Sequence, residues 1–396
     1  MVQSFPKINR LFIIFPIFVK INHFNKPFNC FSMKKKMYFL LLLAFVGLCT
    51  PAKAVLVNIP DANFRARLQT LYPACFVGVQ METTCVGITS ATLLTISGLN
   101  ITNLSGIEYF VNLQILECNS IPLINLPILP VSLIALYCSN NPLMTLPALP
   151  PNLRELFWAN NQSLTLPILP NSLLVLACPD NQLTSLPTLP TTLNKLVCTR
   201  NQLTSLPTLP GTLNDLTCAS NQLTSLPTLP SGLQRLWCDF NKLTSLPPMP
   251  LTTTDLICKS NLLSFSDLEA AIRPNTSYQA SPQNYTIIPA TQTLSSGNTL
   301  TINGGIGGSA NVYQWIKNGS IIFGATSAVY SKANITDADA GLYRCIVTST
   351  SIAGVSILSS NVIICTNVTI TNTSLPNVNR NCLGSLPNNW LICVYL

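Results

Sequence analysis

Cysteine thiols recur through the middle of this sequence at one fixed interval. Seven of them share a frame with a period of 20 residues, in which Trp158 fills the one position without a cysteine; the seven are Cys118, Cys138, Cys178, Cys198, Cys218, Cys238 and Cys258. Thiols serve as nucleophiles, metal ligands or halves of disulfides. If each 20-residue unit forms one coil of a stack, the equivalent side chains of successive coils form a row. They do not converge on one point, as metal ligands must, and they lie too far apart for disulfide geometry. We therefore expect no metal here and predict that the thiols are small, buried core residues.

The N-terminal part of the chain has the composition of an export signal. From Met33 it reads MKKKMYFLLLLAFVGLCTPAKA, with lysines before an apolar run and the small-x-small pattern of a signal-peptidase site ending at Ala54. The apolar run is short for a membrane span, which favours cleavage over anchoring. We predict that residues 1–54 are an N-terminal extension plus a signal peptide, with translation from Met33, cleavage after Ala54 and a secreted or cell-surface product. The alternative for residues 1–32 is a second hydrophobic anchor.

The charge balance changes once this segment is set aside. The whole chain has 21 Lys and Arg against 13 Asp and Glu, but residues 1–54 hold eight of the basic residues and none of the acidic ones. The remainder therefore has 13 residues of each sign and no net charge. A surface that binds nucleic acid is not expected from this balance.

The remaining sequence lacks the groups that common catalytic mechanisms need. The chain's only histidine, His23, lies in the segment predicted to be removed, so neither a Ser-His-Asp triad nor a His-ligated metal site can form. The stretch NGGIGG, Asn303 to Gly308, lacks the lysine and the following helix of a phosphate-binding loop, and we expect a hairpin turn there. We therefore expect a protein that is not an enzyme and uses no cofactor.

The cysteines belong to a longer repeat, LxxLxCxxNxLxxLPxLPxx. Self-similarity at this length indicates a solenoid, in which each coil buries its apolar side against its neighbours. Alternation along a strand places Leu196 and Cys198 inward and Lys195 and Val197 outward. Asn201 and its equivalents follow the strand, where a stacked amide would satisfy buried backbone groups. The prolines of the return segment LPTLP are incompatible with a helix, so this segment should run extended.

The unit resembles the leucine-rich repeat in its short, 20-residue bacterial form. The resemblance implies a mainly β fold, with one parallel strand per coil on a concave face. We assign residues 94–277 to the solenoid and its C-terminal cap, in which SFSDLEAAI, residues 264–272, would form a short capping helix.

Residues 55–93 resemble the N-terminal cap of secreted bacterial leucine-rich repeat proteins. A helix should begin after Asp61, which can cap it. Three apolar residues then share one face of this helix: Phe64, Leu68 and Leu71. Cys75 and Cys85, ten residues apart in loop-like sequence, are the best disulfide candidate in the chain.

The composition changes after Pro274 to short alternating runs typical of a β-sandwich. Residues 280–366 resemble an immunoglobulin-like domain through a core tryptophan and a D-x-G-x-Y-x-C signature, formed by Trp315, Asp339, Gly341, Tyr343 and Cys345. The cysteine expected around Leu300 is missing, so Cys345 is either a free core thiol or pairs elsewhere, for instance with Cys365. Residues 367–396 remain an unassigned tail, and the pairing of Cys382 and Cys393 is open.

Function must be sought in the outward strand positions, because the repeated letters serve the core and the turns. One outward column contains Tyr137, Phe157 and Trp237, with Phe240 just beyond its strand. Exposed aromatic residues of this kind are typical binding hot spots. The column two residues earlier contains four charges that alternate in sign: Lys195, Asp215, Arg235 and Asp255. Their interpretation as a stabilising charge ladder competes with a part in ligand binding.

Two functions agree with this pattern. The first is an exported, non-enzymatic recognition or adhesion protein that binds a protein or glycan at the cell surface through the concave face. The second is a structural component of the surface or cell envelope, in which the solenoid is a stiff spacer. Neither predicts nucleic-acid binding or membrane insertion of the mature chain.

Overall fold

Residues 55–274 and 276–367 are described by a computed structural model of the chain. The predicted signal peptide and the tail from residue 368, with Cys382 and Cys393, lie outside these described residues. Within residues 55–274 and 276–367, no helix is long and apolar enough to cross a membrane.

A parallel sheet of ten strands, in chain order from β4 to β13, runs through most of the described chain. Its strands are β4 Leu93–Thr95, β5 Ile115–Glu117, β6 Ala135–Tyr137, β7 Glu155–Phe157, β8 Val175–Ala177, β9 Lys195–Val197, β10 Asp215–Thr217, β11 Arg235–Trp237, β12 Asp255–Ile257 and β13 Ser277–Gln279. From β5 to β12, partner residues on adjacent strands are 20 apart in sequence. We number the coils that begin with these eight strands coil 1 to coil 8. The sheet confirms one parallel strand per repeat.

Inward and outward residues alternate as predicted. Leu196 and Cys198 are completely buried, whereas Lys195 and Val197 are half-buried on the opposite face. The thiols of all seven cysteines in the repeat frame are buried and outside any disulfide. They pack as small apolar groups, and each coil reaches full burial only because the next coil covers it.

The repeated asparagines connect neighbouring coils. The amide nitrogen of Asn221 donates to the carbonyl oxygens of Cys198 in the preceding coil and Cys218 in its own, at 3.0 and 3.1 Å. Its Oδ1 accepts from the backbone N–H of Leu203 at 3.0 Å. These bonds satisfy backbone groups that the stacked coils remove from water, as the sequence pattern indicated.

A left-handed residue precedes each asparagine of the ladder, and Ile121 at the same place in coil 1, and turns the chain out of the strand. Its φ lies between 49° and 59° in coils 1 to 8, and the residues are Ser120, Asn140, Asn160, Asp180, Arg200, Ser220, Phe240 and Ser260. No glycine occurs at this position. Asn and Asp tolerate this conformation, whereas it is uncommon for an aromatic residue. The variable letters of the sequence gave no sign of this requirement.

The N-terminal cap contains helix α1, Ala62–Leu71, and a three-stranded antiparallel sheet. The strands are β1 Leu56–Asn58, β2 Phe76–Val77 and β3 Gln80–Glu82, and the short helix α2, Val86–Thr89, follows. The Asp61 carboxylate caps α1 by accepting from the Phe64 N–H at 2.9 Å. Phe64 and Leu68 are buried, but Leu71 is exposed because it is the last residue of the helix. Cys75 and Cys85 form a disulfide, as predicted.

The C-terminal end of the solenoid has a further, longer coil that the repeat pattern did not reveal. Helix α3, Phe265–Ala271, is the predicted capping helix, and it buries Phe265, Leu268 and Ala271. Strand β13 then pairs with β12 at a spacing of 22 residues instead of 20. Ala280 replaces the cysteine and Gln283 the asparagine. The Gln283 side chain donates to the Cys258 carbonyl at 2.7 Å and accepts from the Leu263 N–H at 3.3 Å.

Beyond this coil the chain forms a seven-stranded sheet and a two-stranded sheet. Their strands are β14 Gln283–Tyr285, β15 Thr291–Ser295, β16 Leu300–Asn303, β17 Asn311–Lys317, β18 Ser320–Ile321, β19 Val329–Lys332, β20 Gly341–Ser349, β21 Ser356–Ser359 and β22 Val362–Asn367. Trp315 on β17 lies opposite Cys345 on β20, and both are completely buried. The Tyr343 hydroxyl donates to the Asp339 carbonyl at 2.8 Å. Cys345 is outside any disulfide.

The glycine-rich stretch from Asn303 to Gly308 does not form the predicted hairpin. It connects β16 to β17, which belong to different sheets, and its Gly307 carbonyl accepts from the Ser266 N–H of the capping helix α3 at 3.3 Å. A Cβ atom on Gly308 would lie 2.5 Å from Cβ of Phe265, and Gly308 has a φ of 136°. Glycine is needed here because of this positive φ and because the side chains of Phe265 and Asn311 leave no room for a Cβ atom.

Candidate functional site

The outward side chains of β5 to β12 form one surface, which we call the strand face. It consists of two columns, each with one residue per coil. The first column contains Ile115, Ala135, Glu155, Val175, Lys195, Asp215, Arg235 and Asp255. The second contains Glu117, Tyr137, Phe157, Ala177, Val197, Thr217, Trp237 and Ile257. Because the strands pair in register, residues that follow one another in a column are lateral neighbours.

The four alternating charges in coils 5 to 8 pair with one another. The Lys195 Nζ lies 3.2 Å from Oδ2 of Asp215, and the Arg235 guanidinium lies 2.9 Å from Asp215 and 3.1 Å from Asp255. These distances confirm the charge ladder that the sequence predicted. The basic side chains remain 42% exposed, so each pair contributes at most about 1 kcal/mol to stability.

Trp237 belongs to this ladder as well. Its indole Nε1 donates to Oδ2 of Asp255 at 3.0 Å, and the Arg235 guanidinium carbon lies 5.1 Å from the indole centroid. The arginine therefore has carboxylates on both sides and an aromatic ring beside it. Internal contacts thus already engage Trp237 and the four charged residues.

Tyr137 and Phe157 form a second cluster, in coils 2 and 3. Their ring centroids are 4.8 Å apart with an interplanar angle of 18°, a stacked pair. The Tyr137 hydroxyl donates to Oε2 of Glu155 at 2.7 Å. On the neighbouring strand Glu117 lies beside Tyr137 and accepts from the Thr95 hydroxyl at 3.0 Å. Aromatic rings and carboxylates therefore share this part of the strand face.

The two glutamates raise the pKa of Tyr137 to about 12. The hydrogen bond to Glu155 is the largest cause, followed by burial and by the negative charges of Glu155 and Glu117. The phenol proton is held because a tyrosinate would face two carboxylates. The potential at this cluster is therefore negative. The sequence did not indicate this, because the glutamates and the aromatic residues come together only when neighbouring coils stack.

Phe240 lies apart from both clusters. It is the left-handed turn residue of coil 7, with a φ of 53°, and its side chain is 52% exposed. Lys259 Nζ lies 5.7 Å from its ring centroid. The eight predicted site residues therefore separate into the charge ladder with Trp237, the Tyr137–Phe157 pair, and Phe240 alone.

Thiol and metal chemistry find no support in the described residues. Burial raises the pKa of Cys178 and Cys218 to about 12, so these thiols stay protonated and shielded from substrates. Within residues 55–274 and 276–367, no three His, Cys, Asp or Glu side chains come together as metal ligands would.

Comparison with solved structures finds bacterial leucine-rich effectors. YopM from Yersinia enterocolitica is 30% identical over 49% of this chain and 45% of its own, with a TM-score of 0.40. YopM from Yersinia pestis, described as a leucine-rich effector protein, is 33% identical over 43% and 50%, with a TM-score of 0.40. The leucine-rich repeat domain of a Shigella effector is 25% identical over 59% and 89%, with a TM-score of 0.38.

The chain spans about half the length of the YopM chains that it matches. No protein-family model matches the chain. No curated protein sequence matches it either. The 20-residue unit and its parallel strands, both present in this chain itself, make the ten-stranded sheet a leucine-rich repeat solenoid.

Proposed function

We propose that this protein is exported and non-enzymatic, and that it recognises a partner, a protein in preference to a glycan, through the strand face. The observation that carries the proposal is the stacked pair of Tyr137 and Phe157 beside Glu155 on the open side of the sheet. Half-exposed aromatic side chains beside polar groups are the usual anchors of protein interfaces.

The distribution of variable residues supports the same surface. The segment NQLTSLPTLP is identical at residues 181–190, 201–210 and 221–230, where its leucines and asparagine are buried and its exposed side chains lie outside the strand face. Within these coils the strand-face residues differ from one coil to the next. A surface that varies on a constant scaffold is the arrangement that recognition by a repeat protein requires.

The test compares alanine variants in quantitative binding to an identified partner. We expect the double variant Tyr137→Ala/Phe157→Ala to weaken binding at least about tenfold, and Trp237→Ala to have a smaller effect because Arg235 and Asp255 already engage that ring. Ile128→Ala, an exposed apolar residue of a return segment, is the matched control. Unchanged affinity in the double variant, with an unchanged melting temperature, would overturn the proposal.

Export rests on the N-terminal sequence, and the mass of the mature protein tests it. We expect a mature N-terminus at Val55.

We also propose that residues 280–366 form an immunoglobulin-like module that acts as a spacer or a second binding module. The buried Trp315 and the Tyr343 hydroxyl bonded to the Asp339 carbonyl support this module, because both are features of such sandwiches.

A structural role is the second candidate, and the connection between the solenoid and the C-terminal sheets favours it. The Glu269 carboxylate on α3 accepts hydrogen bonds from Ser309 at 3.1 Å and from Ser351 at 2.8 Å. A joint held by such contacts transmits force better than a flexible linker. A protein that binds no saturable partner but stiffens the envelope would favour this role over recognition.

A further inference from the structure

Coils 2 and 7 present the same arrangement on the strand face. In coil 7 the Trp237 indole donates to Asp255, 18 positions later, at 3.0 Å. In coil 2 the Tyr137 hydroxyl donates to Glu155, also 18 positions later, at 2.7 Å. Both pairs consist of an aromatic donor in the second column and a carboxylate in the first column of the next coil.

The coils differ in the cation. Arg235 completes the set in coil 7, where its guanidinium lies over Trp237 and bonds to the carboxylates on both sides. The equivalent residue in coil 2 is Ala135, whose methyl group is buried. Coil 2 therefore has the ring and one of the two carboxylates that hold an arginine in coil 7, with Ile115 in place of Asp215, and its own strand supplies no arginine.

The neighbouring residues do not neutralise this part of the strand face. The lateral neighbours of Glu155 are Ala135 and Val175. Glu117 adds a second carboxylate beside Tyr137. Among the described residues, no salt bridge within 4.0 Å includes Glu117 or Glu155, although Arg154 adjoins Glu155 in sequence.

We propose that Glu117, Tyr137, Glu155 and Phe157 bind an arginine side chain of a protein partner, in the way that coil 7 binds Arg235. The guanidinium would lie above Ala135, against the aromatic pair, and donate to Glu155. An arginine fits better than a lysine because its planar fork stacks on rings and bonds to carboxylates at the same time. This inference rests on the proposed function of the strand face and adds the chemistry of the partner.

The first experiment titrates the full chain with a probe peptide, Gly-Ser-Arg-Gly-Arg-Ser-Gly, and with the same peptide in which citrulline replaces arginine. Citrulline keeps the shape of arginine but has no charge. We expect the arginine peptide to shift the NMR signals of Tyr137 and Phe157 and to bind at least about tenfold more tightly than the citrulline peptide. The variant Glu117→Gln/Glu155→Gln should abolish this preference, and added salt should weaken it.

The second experiment supplies the arginine from the chain itself. In Ala135→Arg the new guanidinium should pair with Glu155, as Arg235 pairs with Asp255, and peptide binding should be lost. Val197→Arg places the same charge on the strand face in coil 5, away from the aromatic pair, and should retain peptide binding. Comparison of these two variants separates occupation of the site from general electrostatic repulsion.

Equal binding of the arginine and citrulline peptides, no binding of either, or unchanged binding in Ala135→Arg would overturn the inference. The proposed function fails separately, when Tyr137→Ala/Phe157→Ala leaves partner affinity unchanged. A partner lost in that double variant but retained in Glu117→Gln/Glu155→Gln would show that the rings bind without the carboxylates. That result, expected for a neutral glycan, would retain the strand face and exclude arginine.

Discussion

In coil 3, Trp158 is larger and Ser163 is smaller than the residues at the same positions of the other coils. Trp158 stands in the column that cysteines occupy in the other coils, and Ser163 stands in a column of leucines. Both are completely buried. The large residue is thus accompanied by a small one five positions later, so coil 3 can keep the spacing of its neighbours.

We predict that this pair is coupled. Trp158→Cys leaves a cavity and should cost about 3–5 kcal/mol of unfolding free energy, whereas Ser163→Leu overpacks the coil and should cost about 1–3 kcal/mol. The double variant restores the pattern of the other coils and should be more stable than the sum of the single variants predicts, by about 1–3 kcal/mol. Denaturant unfolding of all four proteins measures the coupling. Additive losses would show that the two substitutions are unrelated.

Tyr137 offers a direct measurement of the potential on the strand face. Its pKa of about 12 lies above the ordinary value of 10.0, mainly because it donates to Glu155. Because the pKa of Tyr137 is higher in the folded than in the unfolded chain, the protonated tyrosine contributes to stability. This contribution is fully present below pH 10 and is lost as pH rises through about 12. We predict that Glu155→Gln moves the pKa back toward 10.0, as measured by NMR titration of ring-labelled tyrosine. Glu82→Gln, on the N-terminal cap, is the control; an unchanged pKa in Glu155→Gln would contradict the assignment.

At the scale of the elements, the asparagine ladder is interrupted beside Trp158. In coils 5 to 8 the Oδ1 atoms of the ladder accept from the preceding coil, as Asn221 does from Leu203. The Oδ1 atoms of Asn161 and Asn181 are buried and have no partner among the described residues, and the same holds for Nε1 of Trp158. The tryptophan therefore fits the core at the expense of local hydrogen bonds.

Two asparagine variants test this difference. Asn221→Ala removes bonds to three carbonyls and one N–H, and should cost about 2–3 kcal/mol because the partners stay buried. Asn181→Ala removes the carbonyl bonds but no N–H bond, and should cost about 1 kcal/mol less. Unfolding by denaturant compares the two. Equal losses of unfolding free energy in the two variants would contradict the missing hydrogen bonds of the ladder beside Trp158.

One exposed position of the return segment is isoleucine in coils 1 and 3 and threonine in coils 4 to 6. Ile128 and Ile168 are 80% and 90% exposed, and the equivalent residues of later coils are exposed threonines at 188, 208 and 228. We predict that Ile128→Thr/Ile168→Thr changes the unfolding free energy by less than about 0.5 kcal/mol per site, since the backbone already accommodates threonine there. The apolar surface decreases, so solubility should rise. A large loss of stability would show that these side chains are covered in the folded protein.

At the scale of the whole molecule, the connection after coil 8 is a continuation of the solenoid. Gln283 is completely buried and serves both as the last rung of the ladder and as the first residue of β14, which pairs with β21. The Tyr278 hydroxyl donates to the Ala353 carbonyl at 3.1 Å. Gln283 thus belongs both to the side-chain ladder of the solenoid and to the C-terminal sheet, and the unfolding of the two parts should be coupled.

We predict that Gln283→Ala uncouples them. It leaves the Cys258 carbonyl and the Leu263 N–H buried without partners, so calorimetry should show two transitions in place of one. Gln222→Ala, an exposed residue of the repeat, should leave a single transition. A single unshifted transition in Gln283→Ala would contradict the coupling.

The hydrogen bonds from Ser351 and Ser309 lower the pKa of the Glu269 carboxyl group. The contribution of Glu269 to the stability of this connection is therefore present above pH 4.5 and is lost as pH falls below that value.

The sequence by itself determined the period of the solenoid, the inward and outward residues of each strand and the asparagine ladder. It determined them because they follow from residue spacing and side-chain alternation, which identical coils repeat. It did not reveal the 22-residue coil, since Gln283 reaches its partners from a shifted position. The tertiary structure alone decided that Trp237 donates to Asp255 of the charge ladder, and that Tyr137 stacks on Phe157 and donates to Glu155. Contacts between coils depend on strand register and side-chain conformation, and these are set only when neighbouring coils pack together.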